Sequence, residues 1–407
     1  MHIMVLHQYY LDDQQIGGSR FNQFVKYWTE MGHEVTVVAG MLNNKTGEKY
    51  EKYKGKVFAK EEKKDNLTVI RAHVSQAYNK SFIGRLWGYF SFTFFSTLAS
   101  FGVKKPDVIL VTSPPLSVGM TGVIASKFKR TPLVFEVRDL WPESAIDTGV
   151  LTNKYLIKFS YWLENFSYKN AKKINALTPA FVEKISTEKN VDKEDIWMIP
   201  NGADLDIFEP GEKNNWVRKE YGLDNKFVVT YIGAHGVANN LITLINTAKK
   251  LKDNQEIVFM LVGGGMQKDM LKEKAEEYNL DNIIFIDPQP KTKVVDYVNA
   301  ADIGTAVLQK NDTFKTVYPN KVFDYMSCAK PILLAIDGVA RELVVEKAAS
   351  GFYIEPENPD EFADKILEVY NQKEKLKEMG QRGYEYVKEN FSRKALAEKY
   401  IEKLTNL

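Results

Sequence analysis

Lys321 and Asp324 stand three residues apart in the run 314–336, Phe-Lys-Thr-Val-Tyr-Pro-Asn-Lys-Val-Phe-Asp-Tyr-Met-Ser-Cys-Ala-Lys-Pro-Ile-Leu-Leu-Ala-Ile. Pro319-Asn320 reads as a helix entry, because Asn is a good N-cap and Pro stops whatever precedes it. The pattern predicts a short helix over 321–329, ended by Lys330-Pro331, and then a buried strand over 332–336. On that helix Lys321, Asp324 and Cys328 share a face, while Val322, Phe323 and Met326 turn toward a core. An ammonium in the first turn opposes the helix dipole, which favours negative charge there. The placement makes sense if an anion binds at that end. Backbone N–H groups, dipole and ammonium would converge on one phosphate-sized target. Asp324, one turn further in, can accept hydrogen bonds from a sugar diol. The plain structural alternative has Lys321 reaching solvent with Asp324 as its partner.

Other candidates follow the ends of apolar runs that read as buried parallel strands. Gly17-Gly18 lie between a strand over 2–7 and a helix over 20–31, where glycines let a ligand approach the backbone. The spacing is not Gly-x-Gly-x-x-Gly, so a nicotinamide cofactor is not indicated. Arg138-Asp139, with Trp141 and Glu143 just beyond, follow a strand over 132–137. Open α/β sheets take ligands at such carboxyl ends, although an internal Arg138–Asp139 salt bridge fits equally well. In the second half Gly233, His235 and Gly236 follow a strand over 227–232, and Gly263-Gly264-Gly265 follow one over 257–262.

These residues need a scaffold of alternating strands and helices. At 407 residues the chain exceeds one typical core, so two domains are expected. The strand–glycine loop–helix order starts twice, at His2 and at Phe227, with a dense turn cluster between, Pro200-Asn201-Gly202-Ala203-Asp204. The expected fold is α/β: two tandem doubly wound Rossmann-like domains facing a cleft, over 1–200 and 201–384, with a final helix over about 385–407 packing back on the first. Residues 43–66, polar and lysine-rich, read as a long loop. Residues 86–103 carry no charge. They approach a membrane span in length, but hydroxyls interrupt them. They predict either a core helix or a helix with an exposed aromatic face, resting on a membrane or meeting a lipid-linked ligand.

Lys and Arg total 55 against 53 Asp and Glu, which argues against a nucleic-acid binder with a basic surface. A single cysteine, Cys328, rules out an internal disulfide, and the five His show no metal-ligand spacing. No leader precedes the strand at residue 2, so a cytoplasmic protein is expected.

Taken together, Gly17-Gly18-Ser19-Arg20, the turn 199–204 with Phe208, the Gly233 loop and residues 319–335 resemble the glycosyltransferases of GT-B fold in the retaining family 4, over nearly the whole chain. Residues 134–143, Val-Phe-Glu-Val-Arg-Asp-Leu-Trp-Pro-Glu, further resemble a bacterial branch that includes N-acetylfucosamine transferases of surface polysaccharide assembly. The family usually carries Glu, seven residues, Glu; here those places hold Thr316 and Asp324. Its usual Arg and Lys in the first loop of the second domain are absent, with His235 and Asn240 near their places.

The resemblance implies transfer of a sugar from a nucleotide diphosphate, UDP in this branch, with retained anomeric configuration and no metal or other cofactor. The acceptor would be a lipid-linked saccharide or glycan, met at the inner face of the cell membrane, with contact through residues 82–103. On the donor side it places Gly17, Gly18, Gly233, His235, Gly236, Gly263, Thr316, Asn320, Lys321 and Asp324. On the acceptor side it places Arg20, Trp141 and Glu143, with Asp139 orienting the acceptor hydroxyl beside Arg138. A UDP-sugar 2-epimerase of the same fold, or a non-catalytic nucleotide-sugar binder, would share the nucleotide contacts.

Overall fold

The computed structural model describes residues 1–11, 20–43, 47–63, 66–79 and 81–407. Two compact units emerge: Met1–Pro200 with Lys394–Leu407, and Asn201–Arg393.

The first unit is built on an eight-stranded sheet: β1 (His2–Leu6), β2 (Glu34–Gly40), β3 (Phe58–Lys63), β4 (Leu67–Ala72), β5 (Val108–Ser113), β6 (Leu133–Val137), β7 (Lys173–Ala176) and β8 (Ile196–Met198). Its order is β3-β4-β2-β1-β5-β6-β7-β8. All neighbours are parallel except β3, which runs antiparallel to β4. β3 replaces part of the loop expected over 43–66. Its Phe-Ala-Lys-Glu-Glu-Lys sequence hides an edge strand, because charged side chains suit a strand that pairs on one side only. The helices are α1 (Arg20–Glu30), α2 (Phe82–Phe101), α3 (Val118–Lys129), α4 (Glu143–Asp147), α5 (Lys154–Asn170) and α6 (Pro179–Glu188). β1, β5 and β6 are mostly apolar and fully buried because helices cover both faces.

The second unit has six parallel strands: β9 (Phe227–Ile232), β10 (Ile257–Val262), β11 (Ile283–Ile286), β12 (Ile303–Val307), β13 (Ile332–Ala335) and β14 (Gly351–Tyr353), in the order β11-β10-β9-β12-β13-β14. Its helices are α7 (Trp216–Glu220), α8 (Ile242–Lys250), α9 (Lys268–Glu277), α10 (Lys291–Ala300), α11 (Asn320–Ser327), α12 (Val339–Arg341), α13 (Pro359–Tyr370) and α14 (Lys373–Asn390). α15 (Arg393–Thr405) belongs to the first unit from Lys394 onward, later than the expected 385, because α14 stays with the second unit to its end. The indole of Trp28 donates to the Ala397 carbonyl at 3.1 Å, and Tyr400 stacks edge-on against Trp28.

In both sheets the first strand of the unit sits where the order reverses, β1 between β2 and β5, and β9 between β10 and β12. Loops leaving β1 and β9 therefore diverge from those leaving β5 and β12, which opens a crevice at the carboxyl edge of each sheet.

Candidate functional site

In the second unit the loop after β9 is shaped by its glycines. Gly233 has φ +146° and Gly263 φ +147°, and a Cβ on Gly263 would lie 1.9 Å from the Gly233 carbonyl oxygen. The loops after β9 and β10 thus interlock at a distance that no side chain permits. The His235 N–H donates to the Gly264 carbonyl at 2.9 Å, and the Gln267 N–H to the His235 carbonyl at 3.0 Å.

Lys321 reaches back from α11 to this loop. Its Nζ lies 3.6 Å from the centre of the Tyr231 ring, and a Cβ on Gly233 would sit 3.3 Å from it. Tyr231 is held in turn by its hydroxyl, which donates to the Ala234 carbonyl at 2.8 Å. The ammonium has a cation–π neighbour but no ion pair among the described residues. Burial pushes its pKa down to about 7, against an opposing pull from Asp324. Asp324 is half-buried, and burial pushes its carboxyl up to about 6; Lys291 and Arg393 pull the other way. Lys321 and Asp324 do not approach within ion-pair distance, so the internal pairing weighed from sequence does not form. An ammonium and a carboxylate, both desolvated and neither in an ion pair among the described residues, are left one turn apart on one helix.

α11 begins at Asn320, not Lys321. Pro319 occupies the N-cap position, no side chain caps the helix and no acidic residue lies in its first turn. Asn320 is therefore exposed as the first helical residue rather than the cap, a correction that leaves the first-turn N–H groups without a side-chain acceptor. Tyr325 anchors the helix: its hydroxyl accepts from the Ile232 N–H at 3.0 Å and donates to the Thr230 carbonyl at 3.2 Å. Gly304 on β12 makes room for that ring, since a Cβ there would come within 2.6 Å of it. Nothing in the local sequence marks Tyr231 or Tyr325 as site residues. The period-two alternation of β9 turns Tyr231 to the same side as Phe227 and Val229, which reads as core.

His235 is fully buried, and its two ring nitrogens have no hydrogen-bond partner. Burial first, then the charges of Lys268 and Lys321, push it down to about 4, so it is neutral at pH 7. Thr316 closes a short 3-10 turn, its hydroxyl donating to the Thr313 carbonyl at 2.6 Å. Gly236 starts the turn that leads to Asn240.

In the first unit His7, Ser113 and Arg138 end adjacent strands. The Arg138 N–H donates to the Ser113 carbonyl at 3.1 Å. The Arg138 guanidinium makes no ion pair with Asp139 or any other described carboxylate. Burial, with the Arg138 and Arg71 charges behind it, holds His7 well below the usual imidazole range. Asp139 accepts from the Ser144 hydroxyl at 2.8 Å, and burial raises its pKa. Trp141 is half-buried beside Pro142. Gly17 and Gly18 lie outside the described residues.

Two residues expected on the acceptor side are held in ion pairs within the first unit. Arg20 is buried and bonds to Glu136 at 3.1 Å, to the Ile199 carbonyl at 2.6 Å and to the Pro200 carbonyl. Asn175 and Tyr400 also bond to Glu136, at 3.0 and 3.2 Å. A carboxylate in the middle of a buried strand requires a buried cation, and Glu136 within Val-Phe-Glu-Val was the sequence signal for it. Glu143 is paired with Lys189, which also holds Glu164 at 2.9 Å. The pairing engages one carboxylate oxygen, and Oε2 is buried with no hydrogen-bond partner.

Among the described residues no His, Cys, Asp or Glu cluster could hold a metal ion. The arrangement in the second unit suits a phosphate-bearing ligand with a hydroxylated group one helical turn away.

Residues 17–202 match the family model described as glycosyl transferase 4-like domain, and residues 213–386 match that for glycosyl transferases group 1. The chain is a GT-B glycosyltransferase. Its curated relatives include a putative colanic acid biosynthesis glycosyl transferase, WcaI, of Escherichia coli K12, 23% identical over 76% of this chain and 77% of the relative. Another is the UDP-Gal:alpha-D-GlcNAc-diphosphoundecaprenol alpha-1,3-galactosyltransferase of Escherichia coli, 26% identical over 67% of this chain and 68% of the relative. Among solved structures, HepE of Anabaena in complex with UDP superposes with a TM-score of 0.74 at 17% identity, covering all of both chains. The fold of this glycosyltransferase is thus shared with enzymes whose sequences have diverged almost completely.

Proposed function

We propose that the protein transfers a sugar, an N-acetylated hexosamine or deoxyhexosamine, from a UDP-sugar to a lipid-linked saccharide or glycan in bacterial surface polysaccharide synthesis. In this reading the reaction retains the anomeric configuration, needs no metal and takes place at the inner face of the cell membrane. The observation that carries it is the unpaired Lys321 ammonium, set at the glycine loop and the uncapped start of α11 with unpaired Asp324 one turn on. HepE was solved with UDP and with UDP-glucose, and the galactosyltransferase acts from UDP-Gal on a diphosphoundecaprenol-linked sugar, which supports uridine donors and lipid-linked acceptors here.

The chemistry asked of these residues is electrostatic. As the bond from anomeric carbon to phosphate oxygen breaks, charge gathers on the leaving diphosphate, and Lys321 with the first-turn N–H groups of α11 stabilises it. Asp324 accepts from the ribose hydroxyls. The acceptor oxygen bonds to the same face of the anomeric carbon, and its proton passes to the departing phosphate. Asp139 and Arg138 belong to the acceptor in this reading, Asp139 orienting its hydroxyl.

Calorimetric titration with UDP and GDP in EDTA tests the nucleotide site. UDP binding that is lost in Lys321→Ala and Asp324→Ala is expected; binding of neither nucleotide would sink the assignment. A polyprenyl-diphosphate sugar added with UDP-N-acetylhexosamines should then give an α-linked product from an α-linked donor. Donor turnover without acceptor would point to an epimerase, and UDP binding without any turnover to a binder.

A further inference from the structure

α2 is inside out. Its hydroxyls face the protein: Ser91, Thr93, Ser96 and Ser100 are buried, and Ser96 meets Thr121 of α3 at 3.0 Å. Phe92 is buried among them, but most of its large apolar side chains face outward. Ile83, Trp87, Phe90, Phe94, Leu98 and Phe101 are exposed at steps of three and four residues, a single stripe along a 20-residue helix about 30 Å long. Trp87 and Phe94 are 62% and 60% exposed.

The stripe continues onto two neighbours. Phe101 meets Phe128 of α3 at 4.5 Å between ring centres, and Phe90 meets Phe159 of α5 at 6.1 Å. Phe159 stacks on Trp162, and Phe128 and Trp162 are 64% and 51% exposed. Contiguous aromatic surface on three helices is more than scattered exposure explains.

Charge identifies what covers it. No Asp or Glu occurs in residues 82–106, 114–135 or 154–162. The same segments hold Arg85, Lys104, Lys105, Lys127, Lys129, Arg130, Lys154 and Lys158, and none of these makes an ion pair among the described residues. A second copy docked on this face would bring like charges together, which disfavours a symmetric dimer. An apolar aromatic stripe edged by cations matches the interface of an anionic bilayer. No described helix is long and apolar enough to cross a membrane.

We propose that α2, α3 and α5 form a membrane-docking face that lies in the headgroup region of an anionic bilayer. The inference takes its biological sense from the lipid-linked acceptor proposed above, which is delivered at such a surface, and its test is independent of turnover. Purified protein is sedimented with phosphatidylcholine vesicles, alone or with about 30% phosphatidylglycerol. Binding to the anionic vesicles, with a blue shift of tryptophan emission as Trp87 and Trp162 leave water, is expected. The combined Trp87→Ser, Phe94→Ser and Phe128→Ser variant should bind at least about tenfold more weakly. Lys104→Glu with Lys105→Glu and Lys127→Glu should abolish the preference for anionic vesicles. UDP titration of both variants reports folding and should match the parent chain. No binding to anionic vesicles, binding unchanged in the aromatic variant, or a parent chain that dimerises through these side chains would each overturn the proposal. Loss of UDP binding by the parent chain with vesicle binding intact would instead count against the nucleotide site alone.

Discussion

On the proposed contact between Lys321 and the diphosphate, nucleotide binding should take up a proton. With its pKa pushed down to about 7, only about a tenth of the ammonium is protonated at pH 8 before ligand arrives. A diphosphate against it favours the charged form, so the bound complex is fully protonated and binding consumes about 0.9 proton. Asp324, at about 6, is ionised at pH 8 before and after binding and contributes almost nothing. The terminal phosphate of UDP, which titrates near pH 6, is likewise already ionised. Affinity for UDP should therefore fall by close to tenfold per unit between about pH 7.5 and 9, or about 1.4 kcal/mol per unit. Calorimetry at pH 8 in buffers of different ionisation enthalpy reads the proton count directly as a slope. Lys321→Arg, charged at every pH used, should bind with a slope of zero, and residual binding by Lys321→Met should show none either. A parent-chain slope of zero, or one that survives in Lys321→Met, would refute the contact between this ammonium and the diphosphate.

Asp324 should cost stability that Asn does not. Its folded pKa of about 6 is raised above the ordinary carboxylate value, so its favourable contribution exists at low pH and is lost as pH rises through 6. Asp324→Asn should gain about 1–2 kcal/mol in urea unfolding at pH 7.5, a gain that shrinks toward pH 4, while weakening UDP binding. Gly263→Ala should abolish UDP binding with far-UV circular dichroism retained, because its Cβ would lie 1.9 Å from the Gly233 carbonyl; unchanged affinity would show that the loop tolerates a shift. Arg20→Ala should destabilise the chain by about 3–5 kcal/mol, since it strands Glu136 without its cation; a loss below 1 kcal/mol would mean that Asn175 and Tyr400 suffice.

Local chemistry made much of this protein readable from sequence. Apolar runs, glycine loops and the turn at 200–204 give two doubly wound units, because buried parallel strands need continuous apolar stretches and tight βα turns need glycine. Lys321 and Asp324 share a face of one helix for the same local reason, the 3.6-residue period. What a charged side chain meets across the fold was not local. Arg20 reads as a loop cation beside glycines, yet it pairs with Glu136, more than a hundred residues away, and Glu143 pairs with Lys189. Burial drops Lys321 to about 7, and the Tyr231 ring and Gly233 beside its ammonium come from a strand and loop some ninety residues earlier in the chain. The direction of α2 was equally a tertiary matter. With only Arg85 charged along the helix, periodicity marks an aromatic stripe but not which way it turns, and Thr121 of α3 decided it by giving the opposite hydroxyl face a partner.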